Sequence, residues 1–340
     1  MSNPSYQAVR ATADHALELV ELPVVAPAPT QVRIRVEACG ICRTDALTVE
    51  GTMPGIAYPR VPGHEVVGRI DAVGAGVIGW KLGQRVGVGF LGGACLRCAW
   101  CRRGDSVNCS NQQMAGIHHD GGYAEMMLAE ETALVSIPDA LSAVEAAPLL
   151  CAGLTTFNAL KRSPARPGEL VAIQGLGGLG HLAVQFARKM GFRTVAIARG
   201  AEKGLLAKEL GAHHYIDSSV DDPAAALQAL GGARVIVTTI PVPAAMAPLM
   251  GGLAPRGRMI LLSGGADPLP VDTFGLLFGD RSIAGRLTGS PIDSEDTMSF
   301  SVLQEIRATI ETTPLEHAAE AYARMMRNEA RFRMVLTMGG

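Results

Sequence analysis

Four cysteines, Cys95, Cys98, Cys101 and Cys109, stand in the run GGACLRCAWCRRGDSVNCS with the spacing C-x2-C-x2-C-x7-C. Thiolates suit zinc, and four of them fill its tetrahedral shell, leaving no position for substrate. Steps of two residues let one tight loop, about residues 92–112, aim successive sulfurs at a point. The chemistry this spacing supports is therefore structural metal binding. Its rival is a pair of disulfides. The N-terminal run MSNPSYQAVRATADH contains no apolar segment of the kind that directs secretion. Cytoplasmic thiols stay reduced, and clustered cysteines there favour a metal over bridges. The expected location is the cytoplasm.

A second group of residues has the pattern of a phosphate cradle. Gly175-Leu-Gly-Gly-Leu-Gly180 follows the apolar run LVAIQ and opens a stretch of helical periodicity. G-x-G-x-x-G by itself is a weak signal, and the strand–turn–helix setting strengthens it. Gly175 permits the tight turn, Gly177 lets backbone approach a pyrophosphate, and Gly180 lets helix pack on strand, with Gly178 and Leu179 between them. The helix N-terminus then offers N–H donors to the phosphates. An NAD-binding chain needs an acid at the end of the next strand, to accept from the ribose hydroxyls. This chain reads AIARGAEK there, with Ala198 and then Arg199. A guanidinium suits a 2′-phosphate, and Lys203 adds charge. The expectation is NADP(H) over NAD(H).

Three further segments are weak alone. Cys42 lies in ACGICRTDAL, His64 and Glu65 in VPGHEVVG, and Cys151 in LLCAGLTT. A lone cysteine is ordinarily packing, and a lone histidine an ordinary loop residue. Taken in order with the four-cysteine lobe and the glycine turn, they resemble the zinc-dependent alcohol dehydrogenases of the medium-chain dehydrogenase/reductase superfamily. The resemblance covers essentially the whole chain, and GHE, CAG-x-T, GLGGLG and the cysteine spacing are its most specific pieces.

The resemblance implies a β-rich GroES-like catalytic domain plus a doubly wound Rossmann cofactor domain. It implies two zinc ions per subunit, a catalytic one on Cys42, His64 and Cys151 and a structural one in the lobe. Two thiolates and an imidazole leave one position open for Lewis-acid chemistry. Glu65 resembles the glutamate that approaches the metal during ligand exchange, and Asp45 the acid that orients the histidine. Thr44 resembles the hydroxyl that takes the alcohol proton. Arg43 and Arg333 resemble contacts to the cofactor pyrophosphate, and Thr155 the residue beside the nicotinamide. The implied reaction is reversible hydride transfer between a primary or secondary alcohol and the nicotinamide. The implied assembly is a homodimer or homotetramer.

This chain departs from the family pattern at two places. Five residues after Cys42, many members carry a histidine that relays the proton to solvent, and Leu47 stands there. A shallower acid-side pH dependence of alcohol oxidation follows. His118 and His119 are replacements by residue type only, and are expected at the surface. Positions that often carry tryptophan in small-alcohol enzymes read Val49, Met53 and Phe90, which implies a roomier apolar pocket for medium-size or aromatic substrates. Three rival functions stay open. A polyol dehydrogenase often replaces the second catalytic thiolate by a carboxylate, against Cys151. A zinc-free quinone reductase lacks the ligands, against all three residues. A non-catalytic NADPH-binding zinc protein has no need of Thr44. Cys39 is left as a buried, unliganded thiol.

The elements that must position these groups are also legible. The chain has 340 residues, 48 % of them apolar and 18 % charged, with a net charge of -2. That suffices for two domains with sizeable cores. No basic tract favours nucleic acid, and no apolar run has the length of a membrane span. Val32–Val36, Glu65–Ala72 and Arg85–Phe90 read as strands in a Gly- and Pro-rich first domain, followed by helical texture over Ala143–Leu160. Strands at Leu170–Gln174, Thr194–Ala198, Ala212–Ile216, Ala233–Thr239 and Met259–Ser263 alternate with helices at His181–Met190 and Glu202–Leu210. This rhythm implies a parallel doubly wound sheet. The expected organisation is 1–153 catalytic, 154–287 dinucleotide-binding and 288–340 returning to the catalytic domain, with a helix Leu315–Arg327 and a closing strand Phe332–Leu336.

Overall fold

The structure is a computed structural model that describes residues 4–339, so the expected end points 1 and 340 lie outside the described residues. The chain forms two compact units, one running to Cys151 and resuming at Gly289, the other Ala152–Thr288. Among the described residues, no single helix is long and apolar enough to cross a membrane.

The first unit is built on the long strand Gln31–Ile41, whose alternating VRIRV buries Val32, Ile34 and Val36 and turns the arginines outward. It pairs antiparallel with Val66–Val73, Met126–Glu130 and Arg333–Thr337. The strand near the C-terminus therefore closes a sheet begun near the N-terminus. The helical texture over 143–160 is real but interrupted. A turn of helix at Ala143–Ala146 tightens to 3₁₀ geometry over Ala147–Leu150, and a new helix begins at Ala152. Pro148 supplies no N–H to the first of these. Cys151 sits in the break with non-helical backbone, which frees its thiol from a helix face.

The second unit holds a six-stranded parallel sheet. Its order is His214–Asp217, Arg193–Ala198, Leu170–Gln174, Ala233–Thr238, Leu253–Leu261, Ser282–Gly285. In chain order this is 3-2-1-4-5-6, the doubly wound arrangement that binds dinucleotides at the carboxyl ends where the order reverses. Leu170–Gln174 is buried throughout, as its apolar run predicts. The strand Ser282–Gly285 and the helix Pro291–Leu303 carry no clear periodicity and emerge only in the structure.

Candidate active site

Among the described residues, two groups of metal-ligating side chains form, both in the first unit. In each, the ligand atoms lie within 4.8 Å of one another. The first is Cys42, His64, Glu65 and Cys151. Cys42 precedes the 3₁₀ turn Arg43–Asp45, His64 and Glu65 enter the strand Val66–Val73, and Cys151 comes from the helix break. Three stretches remote in sequence thus meet at one point.

The geometry fits a zinc ion. Thiolates about 2.3 Å from one tetrahedral ion stand about 3.8 Å apart. Cys42 Sγ and Cys151 Sγ are 3.8 Å apart. His64 is 2 % exposed; its Nδ1 faces Asp45 Oδ1 at 2.8 Å, and its Nε2 is buried with no partner among the described residues. A buried imidazole nitrogen without a partner costs free energy unless something occupies that direction. The Asp45 carboxylate is fixed in turn. Its Oδ2 accepts from the Cys42 N–H and from the Tyr123 hydroxyl, each at 2.8 Å. Such an outer partner sets the ring orientation of a ligating histidine.

Charge in this group is shared. The bond from Cys151 pulls the Cys42 thiol well below its usual range, and the same bond, with burial, pushes Cys151 well above it. The shared bond thus favours the thiolate on Cys42 and the thiol on Cys151. Burial opposes charge on His64, but the Asp45 carboxylate outweighs it and raises the imidazole pKa. A cation entering the group displaces such protons.

Glu65 is fully buried, and burial, partly offset by Arg333, raises its carboxyl to about 7. Its Oε1 pairs with the Arg333 guanidinium, and its Oε2 is buried without a partner. Gly40 makes room for it, since a Cβ there would lie 1.9 Å from Oε2. Arg333 is 4 % exposed and engaged by Glu65. Arg43 is exposed, donating to Met326 O at 3.1 Å and Asn328 Oδ1 at 3.0 Å. Thr44 is half-buried on the same turn.

Beside the ligand set lies an apolar wall. Phe90 packs edge-on to His64 at 5.3 Å between ring centres. Phe90, Leu91 and Ile117 form a buried cluster on which Leu47, Met53, Ile56, Val107 and Met114 pack half-buried. Leu47 therefore contributes hydrocarbon where a relay histidine would titrate. Val49 does not join this wall, because its side chain is buried in the main core of the unit. His118 is exposed, and its Nδ1 accepts from the Met114 N–H at 2.9 Å. His119 is less exposed than expected. It packs over Gly92, and burial lowers its pKa.

The second group is Cys95, Cys98, Cys101 and Cys109. Backbone N–H groups point at the sulfurs. Cys98 N donates to Cys95 Sγ at 3.4 Å, Cys101 N and Ser110 N to Cys98 Sγ at 3.5 Å, and Cys95 N to Cys109 Sγ at 3.4 Å. The bonds from Cys101 and Ser110 lower the Cys98 thiol to about 5, whereas burial and the neighbouring sulfurs push Cys101 up to about 12. Four sulfurs this close carry full charge together only around a cation. Cys39 is buried and outside both groups. Because the lobe's fold depends on its sulfurs, Cys98→Ser is expected to lower Tm by several degrees. The calorimetric Tm checks this, and an unchanged value contradicts a structural lobe.

In the second unit, the glycine turn has the expected form. Gly175 has φ +96, Gly177 is open on its Cβ side, and a Cβ on Gly180 would stand 1.8 Å from Gly175 O. Gly178 and Leu179 complete the turn into the helix Gly180–Lys189. Thr155 is buried and donates to Leu287 O at 3.3 Å. Arg199 is exposed at the end of Arg193–Ala198, and Lys203 opens the helix Lys203–Glu209.

Comparison with known proteins agrees with this geometry. Residues 28–139 match the alcohol dehydrogenase GroES-like domain, and residues 178–308 match the zinc-binding dehydrogenase family. The chain is a zinc-dependent alcohol dehydrogenase of the medium-chain dehydrogenase/reductase superfamily, an oxidoreductase. It is 46 % identical to alcohol dehydrogenase patD of Penicillium expansum over 335 residues, spanning 98 % of this chain and 97 % of that one. The cinnamyl alcohol dehydrogenase SbCAD4 from Sorghum bicolor superimposes with a TM-score of 0.87 at 29 % identity, over 98 % of each chain. The Helicobacter pylori CAD complexed with NADP(H) does so with a TM-score of 0.86 at 26 % identity, over 99 % of each chain.

Some functional positions were not readable from motifs. Tyr123, which braces Asp45, lies in a segment without any motif, and Gly40, which admits Glu65, lies in the Cys42 segment but was not singled out there. Their contacts appear only once the sheet brings distant strands together.

Proposed function

We propose that this alcohol dehydrogenase prefers NADP(H) to NAD(H) and acts on medium-size or aromatic alcohols and the corresponding aldehydes. One observation carries the cofactor preference. The strand Arg193–Ala198 ends without a carboxylate, and beside it stands an exposed guanidinium that no described residue bonds. The apolar wall of Phe90, Leu91, Ile117, Leu47, Met53 and Ile56 supports the substrate class. It lacks the tryptophans that would fill it and is half-open on several of its members.

Cys42, His64 and Cys151 would hold the catalytic zinc, and Cys95, Cys98, Cys101 and Cys109 the structural one. When bound, the zinc supplies Lewis acidity to the substrate oxygen, and the nicotinamide supplies hydride chemistry. The residues of the chain do the rest. Asp45 orients His64, and Thr44 Oγ1 accepts the alcohol proton and passes it on. Glu65 pairs with Arg333 and would be the carboxylate at hand during ligand exchange. The N–H groups after Gly177 bind the pyrophosphate, and Arg43 is a further cofactor contact. Thr155 packs beside the nicotinamide, and Arg199 and Lys203 bind the 2′-phosphate. Leu47 and Phe90 exclude water from the substrate side.

A homo-oligomer fits the surface of the second unit. Phe274, Leu277 and Phe278 are 67 %, 74 % and 87 % exposed, an apolar area that single chains seldom leave open.

Initial rates with benzyl alcohol and ethanol against NADP and NAD test the reading. We expect kcat/KM for NADP to exceed that for NAD by about tenfold or more, and benzyl alcohol to exceed ethanol by a similar factor. The reverse order in either pair overturns that half of the proposal.

A further inference from the structure

We infer that Tyr215 and Asp217, on the strand beside the one that ends at Ala198, are positioning residues that make Arg199 select a 2′-phosphorylated cofactor. The inference rests on the NADP(H) reading and adds the device behind it. Arg199 lies between Ala198 and Gly200, where the chain leaves its strand. Gly200 has φ +97, a conformation that side-chain-bearing residues rarely adopt. A loop of this kind, carrying a long flexible cation, is mobile unless its peptide groups are held.

Here they are held from one side. The Tyr215 hydroxyl donates to Gly200 O at 2.6 Å and lies 3.2 Å from Ala198 O. The Gly200 N–H donates to Asp217 Oδ1 at 2.9 Å. Ser218 N donates to Ala198 O at 2.9 Å. The strands are parallel, and Ala198 is paired with Asp217 in register, so all three bonds come from a single neighbouring segment. The Gly200 N–H is thereby held by Asp217, and its carbonyl accepts from the Tyr215 hydroxyl and, at 3.2 Å, from Lys203 N. The peptides on either side of Arg199 are held, so its Cα is fixed where the side chain begins.

A carboxylate near a phosphate site would normally oppose binding. Asp217 is prepared for this. Its Oδ1 also accepts from Ser219 N at 3.0 Å and Ser219 Oγ at 2.6 Å, so its charge is bound up in the loop. Those bonds, with Lys203 close enough to add to them, hold its carboxyl below the usual range. Asp217 is thus an acid turned to a mechanical task, at a sheet position next to the one where an NAD-binding acid would stand. The Tyr215 ring packs against Gly204, where a Cβ would come within 3.2 Å of it. That packing does not need the hydroxyl, so the two contributions can be separated.

Pre-ordering a guanidinium lowers the rotamer entropy lost when it grips an anion. The effect belongs to the 2′-phosphate and not to the adenosine. Titration calorimetry on the full-length zinc-loaded protein, with 2′,5′-ADP and 5′-AMP as probes, reads it without turnover. We expect Tyr215→Phe to weaken 2′,5′-ADP about tenfold and 5′-AMP by less than about threefold. Asp217→Ala should act in the same way. Asp217→Asn, which keeps the Oδ1 acceptor, should return the preference to at least the original ratio. In an Arg199→Ala background, Tyr215→Phe should have no further effect, because the two act as a unit. Equal weakening of both probes, or a preference that survives Tyr215→Phe but is lost in Arg199→Ala, overturns the inference and leaves the NADP(H) reading standing. A native protein that binds both probes equally overturns both.

Discussion

His64→Ala is expected to lower kcat/KM by on the order of a thousandfold or more and to remove one equivalent of zinc per chain. The size of the loss follows from the lack of any substitute. His64 gives the group its sole nitrogen ligand, and its Nε2 is buried, partnerless and backed through Nδ1 by Asp45. Without the ring, two thiolates 3.8 Å apart remain beside a glutamate that Arg333 already engages. Two thiolates cannot fix a tetrahedral ion with one open position. Asp45→Asn should be milder, weakening metal about ten- to a hundredfold, because it loosens the ring without deleting it. The four-cysteine lobe is a separate group, so its zinc should persist in both variants. Emission spectroscopy for metal content, read beside initial rates, checks the pair of claims. Unchanged zinc content together with native rates would remove His64 from the ligand set.

What the sequence disclosed about this site depended on the range of the interaction. The cysteine lobe and the turn Gly175–Gly180 are set by residues within one short segment, so spacing alone carries their geometry. The parallel strands read plainly because a run such as LVAIQ, buried on both faces, leaves no polar position to confuse it. Cys42, His64 and Cys151 stand in three distant segments, and only a family resemblance joined them before the sheet did. Val49 shows the cost of arguing from position. One residue in a strand or short helix decides which core a side chain enters, and the structure buries Val49 in the main core while Leu47, two residues earlier, joins the wall beside His64. Cys151 could be read as a ligand, but the helix break that frees it was hidden in an apolar run that looked continuous. Partners separated by hundreds of residues, such as Glu65 and Arg333, have no local signature at all.

That last pair gives the second large effect. Arg333→Met should lower Tm by on the order of 10 °C, since removing one partner of a buried ion pair costs about 3–5 kcal/mol. Glu65 is 0 % exposed and Arg333 4 %, so both groups are withdrawn from bulk water. Methionine fills much of the arginine stem, and the cost therefore reports charge and not a cavity. If the carboxylate left behind is the cause, Glu65→Gln in the Arg333→Met background should recover at least half of the loss, a non-additivity that a calorimetric cycle measures directly. The same variants separate this role from the pyrophosphate contact that the sequence implies for Arg333. A phosphate ligand lost from an otherwise sound protein would raise the KM for cofactor and leave Tm in place. A buried partner of Glu65 does the reverse. The burial of both groups leads us to expect the second, and a native Tm in Arg333→Met with a large rise in cofactor KM would decide for the first.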